Sequence, residues 1–181
     1  MRSSVAATLL LSTFGLVACS TMPATVAVPV SIKGAADEQV VMVAPARGVQ
    51  IYECRAKAGQ AGAFEWAFVG PEAVLYNSAG MQIGKHYGGP TWESNDGSKL
   101  VGSVKGRADA PRKAGEAAGN IPWLLLPTMA SGGKGSFSDV TEIQRVNTVG
   151  GIAPTATCGQ GNVGSAARVP YTADYYMLAK K

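Results

Sequence analysis

The residues best suited to chemistry stand close together in the middle of the chain. His86, the only histidine, is followed by Tyr87, and Trp92 is followed by the carboxylates of Glu93 and Asp96. An imidazole can transfer protons or bind a metal, a carboxylate can act as an acid or base, and an exposed indole can stack on a ligand. If the domain has a binding site, we expect it around these residues.

This stretch has several interpretations. His86, Glu93 and Asp96 could bind zinc, and Asn95 with Asp96 could weakly bind calcium, but their spacing matches no established ligand motif, and we predict no metal. Glu93 and Asp96 could instead form the carboxylate pair of a glycoside hydrolase, whose carboxyls flank the sugar. The simplest interpretation is structural: Asn95 and Asp96 cap a turn, and His86 ends a strand with its ring hydrogen-bonded.

Two further polar residues and the tryptophans complete the candidates. Arg145 and Asn147 lie within a strongly patterned segment and are second choices for the binding site. Trp66 and Trp123 lie within apolar strands, so we expect them in the core. Trp92 lies between a proline and a turn and is the better candidate for an exposed tryptophan, although core packing is favoured for it as well.

Other patterns argue against familiar activities. Residues 159–164 read GQGNVG, a literal GxGxxG, but no βαβ unit precedes them, as a dinucleotide site requires. No GxSxG elbow is present for a catalytic triad, and no CxxC pair supports redox chemistry. The formal net charge of +4 is too small for the basic stripe of a nucleic-acid binder. We predict no cofactor and no nucleic-acid partner.

The first residues have the pattern of an export signal. Arg2 precedes an uncharged, mostly apolar stretch from Val5 to Ala18, too short to cross a bilayer as a helix. Leu16 to Cys19 (LVAC) is similar to the lipobox of bacterial lipoproteins, which implies cleavage before Cys19 and its lipidation with diacylglycerol and a further acyl chain such as palmitate. Ser20, in place of an aspartate, implies the outer membrane.

The leader defines a domain organisation. We expect a signal peptide over residues 1–18, a lipidated flexible tether over 19–39, rich in small residues and prolines, and a β-rich domain over 40–181. With Cys19 lipidated, Cys54 and Cys158 remain, and a pair in an exported protein predicts a disulfide. That bond would stabilise the domain by about 4–5 kcal/mol in the chain-entropy model.

The elements that must position these residues look like strands. Residues 49–54 and 64–69 alternate apolar and polar positions, 121–126 is the most apolar run, and 168–177 is rich in aromatic residues. Pro45 interrupts the first apolar stretch, Gly70–Pro71 marks a turn, and residues 137–148 favour a strand with a bulge. We predict a single all-β domain, a sandwich or barrel of about seven to nine short strands.

Several long signatures resemble those of one family. They are GVQIYEC at 48–54, HYGGPTWESNDGS at 86–98, IPWLLL at 121–126 and IQRVNTVGGIAPTATC at 143–158, followed by YTADYY. Together they resemble a domain-of-unknown-function family of secreted bacterial and fungal proteins, and the resemblance covers nearly all of residues 40–178. It implies no established activity.

These observations favour a non-enzymatic envelope lipoprotein. The β-rich domain would be held at the membrane by its lipid anchor, facing the periplasm or the cell surface, and would bind a small ligand, a glycan or another envelope protein. The alternative is a hydrolase that acts on the cell envelope or on polysaccharide through Glu93 and Asp96.

Overall fold

The computed structural model describes residues 26–111 and 119–181, and these are almost entirely β-structure. The predicted signal peptide and Cys19 lie outside the described residues. The strands are β1 (Glu38–Ala56), β2 (Phe64–Tyr76), β3 (Gln82–Tyr87), β4 (Thr91–Ser94), β5 (Lys99–Gly102), β6 (Gly106–Ala108), β7 (Trp123–Ala130), β8 (Glu142–Gly150) and β9 (Ala166–Lys180). The two helices in the described residues are short 3₁₀ turns, Val30–Ile32 and Gln160–Asn162.

All of these strands belong to one antiparallel sheet that closes on itself. Their order is β5-β4-β3-β2-β1-β9-β8-β7-β6, and an additional pairing of β5 with β7 joins the ends. Leu100 in β5 lies opposite Ala130, and Gly106 in β6 lies opposite Leu125, so both short strands pair with the same side of β7. The predicted all-β fold is confirmed, and closure makes it a barrel rather than a sandwich.

Prolines do not end the first two strands. Pro45 lies within β1 opposite Asp174, and Gly70–Pro71 lies within β2 rather than in a turn. The β1–β2 register shifts between Ile51 and Tyr52, so β2 has a bulge next to Gly70. A bulge accommodates a proline because the ladder there does not need its missing N–H group. The strands are therefore longer than the sequence suggested.

The interior of the closed sheet contains small side chains on one strand and large side chains on others. In the middle of β1 the inward positions Ala44, Ala46 and Gly48 are small, and Gly48 lies opposite Tyr171 of β9. Large buried side chains from the other strands pack against these small positions and fill most of the interior. The largest buried residues of this inner core are Trp92, Tyr175, Phe137, Leu75, Leu100, Ile143 and Met177.

A second apolar cluster lies on the outside of the sheet. Ile32, fully buried, packs there with residues that include Trp123 and Leu178, and Val26 and Val28 lie against the cluster. The Gln144 side chain donates to the Ile32 carbonyl oxygen at 2.7 Å. The part of the predicted tether from residue 26 to 39 is therefore packed on the domain, and residues 19–25 lie outside the described residues.

The predicted disulfide is present. Cys54, near the end of β1, is bonded to Cys158, 104 residues later, with the two Cα atoms 5.5 Å apart. Gly164 donates its backbone N–H to the Cys54 carbonyl oxygen at 2.8 Å, so the GxGxxG stretch packs beside the bond. The bulge predicted in the later segment is confirmed too, since the β8–β9 register shifts between Val146 and Val149.

We predict that Gly48→Ala strongly destabilises the fold. A Cβ at Gly48 would lie 2.1 Å from the Glu72 carbonyl oxygen and 2.5 Å from the Ala73 Cα, and backbone atoms of a paired strand cannot easily move. Overpacking of this kind typically costs about 1–3 kcal/mol. The measurement is the free energy of unfolding in urea. Gly161→Ala is the matched control, because nothing lies within 4 Å of its added Cβ. Equal stability of the two variants would contradict the tight β1–β2 packing.

Candidate functional site

The sheet separates the residues that the sequence places together. His86 lies opposite Trp92 across the β3–β4 ladder, and both side chains are buried inside the closed sheet. Tyr87 and Glu93 are the next residues along their strands and therefore face outward, because successive side chains of a strand point to opposite faces. The predicted cluster is thus an inner pair and an outer pair, which cannot act on the same ligand.

The inner pair belongs to a stack of three rings. The imidazole of His86 lies flat against the Trp92 indole, with centroids 4.3 Å apart and an angle of 17° between the planes. Tyr175 of β9 presents its ring edge-on to both, at 4.9 Å from His86 and 5.5 Å from Trp92. Trp92 is only 1% exposed. The core packing favoured for Trp92 is therefore confirmed, whereas Trp66, expected in the core, is half-buried and donates its indole N–H to the Ala156 carbonyl oxygen.

His86 is held as a neutral imidazole. Its Nδ1 lies 2.8 Å from the Thr91 carbonyl oxygen, and since a carbonyl only accepts, the proton belongs on Nδ1 and Nε2 keeps its lone pair. The pKa of His86 is lowered to about 3. Burial is the main cause, and the nearby charge of Arg145 contributes. The ring can therefore accept a hydrogen bond but does not supply a positive charge near neutral pH.

Arg145 enters the same interior from β8. It lies opposite Leu124 of β7 and Tyr175 of β9, and its side chain is 9% exposed. Its Nε and Nη2 both donate to the Pro122 carbonyl oxygen, at 3.1 and 2.8 Å. Burial lowers the pKa of Arg145 and raises that of Tyr175, whose hydroxyl lies 3.2 Å from the Tyr171 hydroxyl.

A pocket opens onto these inner residues. It encloses about 130 Å³, and its lining is mostly apolar, with the side chains of Phe68, Pro71, Pro90, Val104, Leu124 and Leu126 around His86, Trp92, Arg145 and Tyr175. Phe68 and Val104 are both more than half exposed, so they lie at its mouth. The arrangement can hold a small apolar group against the aromatic rings.

The sequence singled out some of these lining residues and missed others. It pointed to His86, Trp92 and Arg145, but not to Tyr175, Phe68 or Val104. The terminal YTADYY contained a usable signal, because Tyr171 and Tyr175 are four residues apart and so share a face of one strand. No local signal marked Phe68 and Val104, which lie far apart in the chain and meet only when the sheet closes.

The outer pair forms a surface ion-pair network. Glu93 accepts a hydrogen bond from the Tyr87 hydroxyl at 2.7 Å, and its carboxylate lies 3.4 Å from the Lys85 Nζ and 3.2 Å from the Lys99 Nζ. The hydrogen bond from Tyr87 and the neighbouring lysines lower the pKa of Glu93 to about 2. Glu93 is therefore an ionised surface carboxylate whose acceptor positions are already engaged.

Asp96 is the anchor of a loop. One carboxylate oxygen accepts from the backbone N–H and hydroxyl of Ser98, and the other accepts from the same two groups of Ser136. These donors hold the pKa of Asp96 well below its usual value. A Cβ at Gly135 would lie 2.5 Å from the carboxylate carbon, so the loop approaches closely because a glycine stands there. The structural interpretation of the sequence expected Asp96 to cap a turn, and the structure contains that cap.

The remaining candidates have local partners as well. Asn95 donates to the Gln82 carbonyl oxygen at 2.9 Å. Asn147 has a positive φ of 51° at the β8 bulge and donates to the Asp174 carboxylate at 2.8 Å, on the exposed side of the sheet. Within residues 26–111 and 119–181, no group of three or more His, Cys, Asp and Glu side chains could hold a metal ion. Over the same residues, no helix has the length and apolar character to cross a membrane.

Comparison with known protein families shows which family the chain belongs to. A family model described as "Protein of unknown function (DUF3455)" matches residues 35–179. The chain belongs to this family. The matched region runs from just before β1 almost to the end of β9, so it includes the aromatic stack, Arg145 and the disulfide. No curated protein and no solved structure matches the chain.

We predict that buried, neutral His86 makes the fold sensitive to mild acid. In the unfolded chain its pKa returns to the ordinary 6.5. Below that pH the unfolded state therefore binds a proton that the folded state does not bind. The free energy of unfolding should fall as the pH drops below about 6.5, by about 2 kcal/mol between pH 7 and pH 5. His86→Phe should remove this part of the pH dependence, whatever its own stability. Urea unfolding at several pH values measures both.

A direct test needs no variant, because His86 is the only histidine. Its ring resonances in the NMR spectrum of the folded protein should not shift between about pH 7 and pH 5. A titration midpoint near the ordinary pKa would contradict the buried, neutral imidazole.

We also predict that Asp96→Asn loosens the loop over residues 133–138. An amide retains one acceptor oxygen and directs an NH₂ group at donors that now lack an acceptor. Amide hydrogen exchange at Ser136 and Ser98 should therefore become faster. The matched control is Asp139→Asn, which changes an exposed aspartate of the same region. Unchanged exchange in Asp96→Asn would show that the carboxylate does not anchor the loop.

Proposed function

We propose that this chain is an exported, lipid-anchored envelope lipoprotein whose domain is a binding module for a small ligand. The observation that carries the proposal is the pocket that opens between Phe68 and Val104 onto His86, Trp92 and Arg145. Apolar walls with a few fixed polar groups are the usual composition of small-molecule sites.

The site is rigid, which supports binding. The ring stack of His86, Trp92 and Tyr175 is buried within a closed sheet, and Arg145 is fixed by its bonds to the Pro122 carbonyl oxygen. Side chains that are already in place lose little conformational entropy when a ligand binds. The pocket can therefore bind without rearrangement of the sheet.

The anchored location is supported by the sequence and by the disulfide. The lipobox-like LVAC with Cys19 implies attachment to a membrane, and Ser20 favours the outer membrane. The Cys54–Cys158 bond fits an oxidising compartment such as the periplasm. Val26 packs against the outer apolar cluster only seven residues after Cys19, so we expect the domain to lie close to the membrane surface.

No observation favours the hydrolase alternative. A glycosidase needs one carboxylic acid whose raised pKa keeps it protonated as a proton donor. The pKa values of Glu93 and Asp96 are both lowered, and both carboxylates are engaged by lysine, tyrosine or serine donors. The pocket contains neither of them.

The test is a native mass spectrum of the protein extracted gently from its own envelope. We expect acylated Cys19 and, in addition, a discrete mass from a bound small molecule. Val104→Trp should remove the added mass, because it places an indole at the mouth of the pocket from an exposed position. Val163→Trp is the matched control, since Val163 is equally exposed and does not line the pocket.

The outcomes separate the parts of the proposal. A chain that starts at Met1 or carries no acyl groups would overturn the lipid anchor but not the pocket. A spectrum with no added mass, or an added mass that Val104→Trp retains, would overturn the binding site. Co-purification of an envelope protein in place of a small molecule would make the domain a module for a protein partner.

A further inference from the structure

Within residues 26–111 and 119–181, the guanidinium of Arg145 has no carboxylate partner. The cations that form ion pairs among the described residues are Lys85, Lys99, Lys105, Arg168 and Lys180. Arg145 instead contacts a backbone carbonyl and, beside it, the Tyr175 hydroxyl. A guanidinium has more N–H donors than these acceptors engage. The part of the chain that the structure describes thus supplies no negative charge to compensate this buried positive one.

The surroundings do not supply the missing charge. The inward positions next to Arg145 are Ile143 on its own strand, Leu124 and Leu126 on β7, and Ala173, Tyr175 and Met177 on β9. His86, across the interior, is neutral, and Glu93 and Asp96 are outside the pocket. Arginine is rarely buried unless it is paired, because removing an ion from water is energetically costly. An anionic ligand would supply the pair.

The pocket limits what else that ligand can be. An apolar cavity of about 150 Å³ accommodates one benzene molecule, and this pocket encloses about 130 Å³. Its apolar walls favour a ring or a short branched chain rather than a polar sugar. The Trp92 Nε1 is a buried donor without a hydrogen-bond partner, so this interior has a further donor that an acceptor on a ligand could engage. These donors favour a ligand that accepts hydrogen bonds.

We propose that the pocket binds a small carboxylic acid with one aromatic or apolar ring, whose carboxylate pairs with the Arg145 guanidinium and whose ring lies against Trp92. The inference rests on the proposed binding function and names the ligand class of that site. Arginine suits this role because its planar fork can donate two parallel hydrogen bonds to a carboxylate.

The test compares acids with neutral molecules of the same shape. The probes are the matched pairs benzoate and benzamide, phenylacetate and phenylacetamide, and cyclohexanecarboxylate with its amide, titrated into the purified mature protein in a calorimeter. Each acid should bind about 10-fold to 100-fold more tightly than its amide, as expected when a charged hydrogen bond is gained. This comparison uses the wild-type protein, so no variant needs to fold.

Variants assign the preference to the guanidinium. Arg145→Met has a similar length without charge and should make each acid bind no better than its amide. Arg145→Lys keeps the charge but not the fork and should retain only part of the preference. Val104→Trp should abolish binding of acids and amides alike, whereas Val163→Trp should bind as the wild type does. Circular dichroism identifies any variant that has not folded. In that case the comparison of acids with amides on the wild-type protein still tests the ligand class.

The failures of the two proposals can be distinguished. If acids and amides bind equally and Val104→Trp blocks both, the ligand class is wrong and the binding function stands. If no probe binds but the native spectrum contains a mass that Val104→Trp removes, the same conclusion holds. If no probe binds and no such mass exists, both proposals are overturned.

Discussion

The pairing of β5 with β7 is the constraint on which the rest of the structure depends. Without it, the nine strands would form an open sheet with two edges, and the inner face would lie in water. With it, the inner face becomes an interior that can bury Trp92, Tyr175 and Leu100 together. Closure satisfies the edges of the sheet and creates the low-polarity surroundings in which His86 is neutral and the charge of Arg145 is costly.

The division between inside and outside then decides the chemistry of each residue. Neighbours in the sequence, such as Trp92 and Glu93, face opposite sides of the same strand and have unrelated surroundings. Glu93 lies among lysines at the surface, where its charge is stabilised, while Trp92 is stacked in the core. Reactive residues that are adjacent in the sequence of a strand are therefore divided between its two faces. The pocket takes its polar members from different strands, β3 for His86, β8 for Arg145 and β9 for Tyr175.

The loops are attached to the sheet by specific contacts. Asp96 fastens the loop around Ser136 to the β4–β5 turn, and the disulfide fastens the segment after Cys158 to the end of β1. On the outside, the segment that contains Ile32 covers an apolar patch of β7, β8 and β9. These attachments fix two loops and the segment before β1 to the closed sheet, outside the pocket.

The sequence by itself determined the all-β fold, the approximate number of strands, the cysteine pair and the family, because alternation, turn residues and long signatures are local patterns. It also singled out His86, Trp92 and Arg145. It could not decide that Pro45 and Gly70–Pro71 lie inside strands, that Trp66 is only half-buried, or that residues 26–39 pack on the domain, since each depends on contacts with distant residues. Only the tertiary structure separated Glu93 and Asp96 from the pocket and brought Tyr175, Phe68 and Val104 to it. The physical reason is that strand register and sheet closure are non-local: they fix which face of each strand is buried.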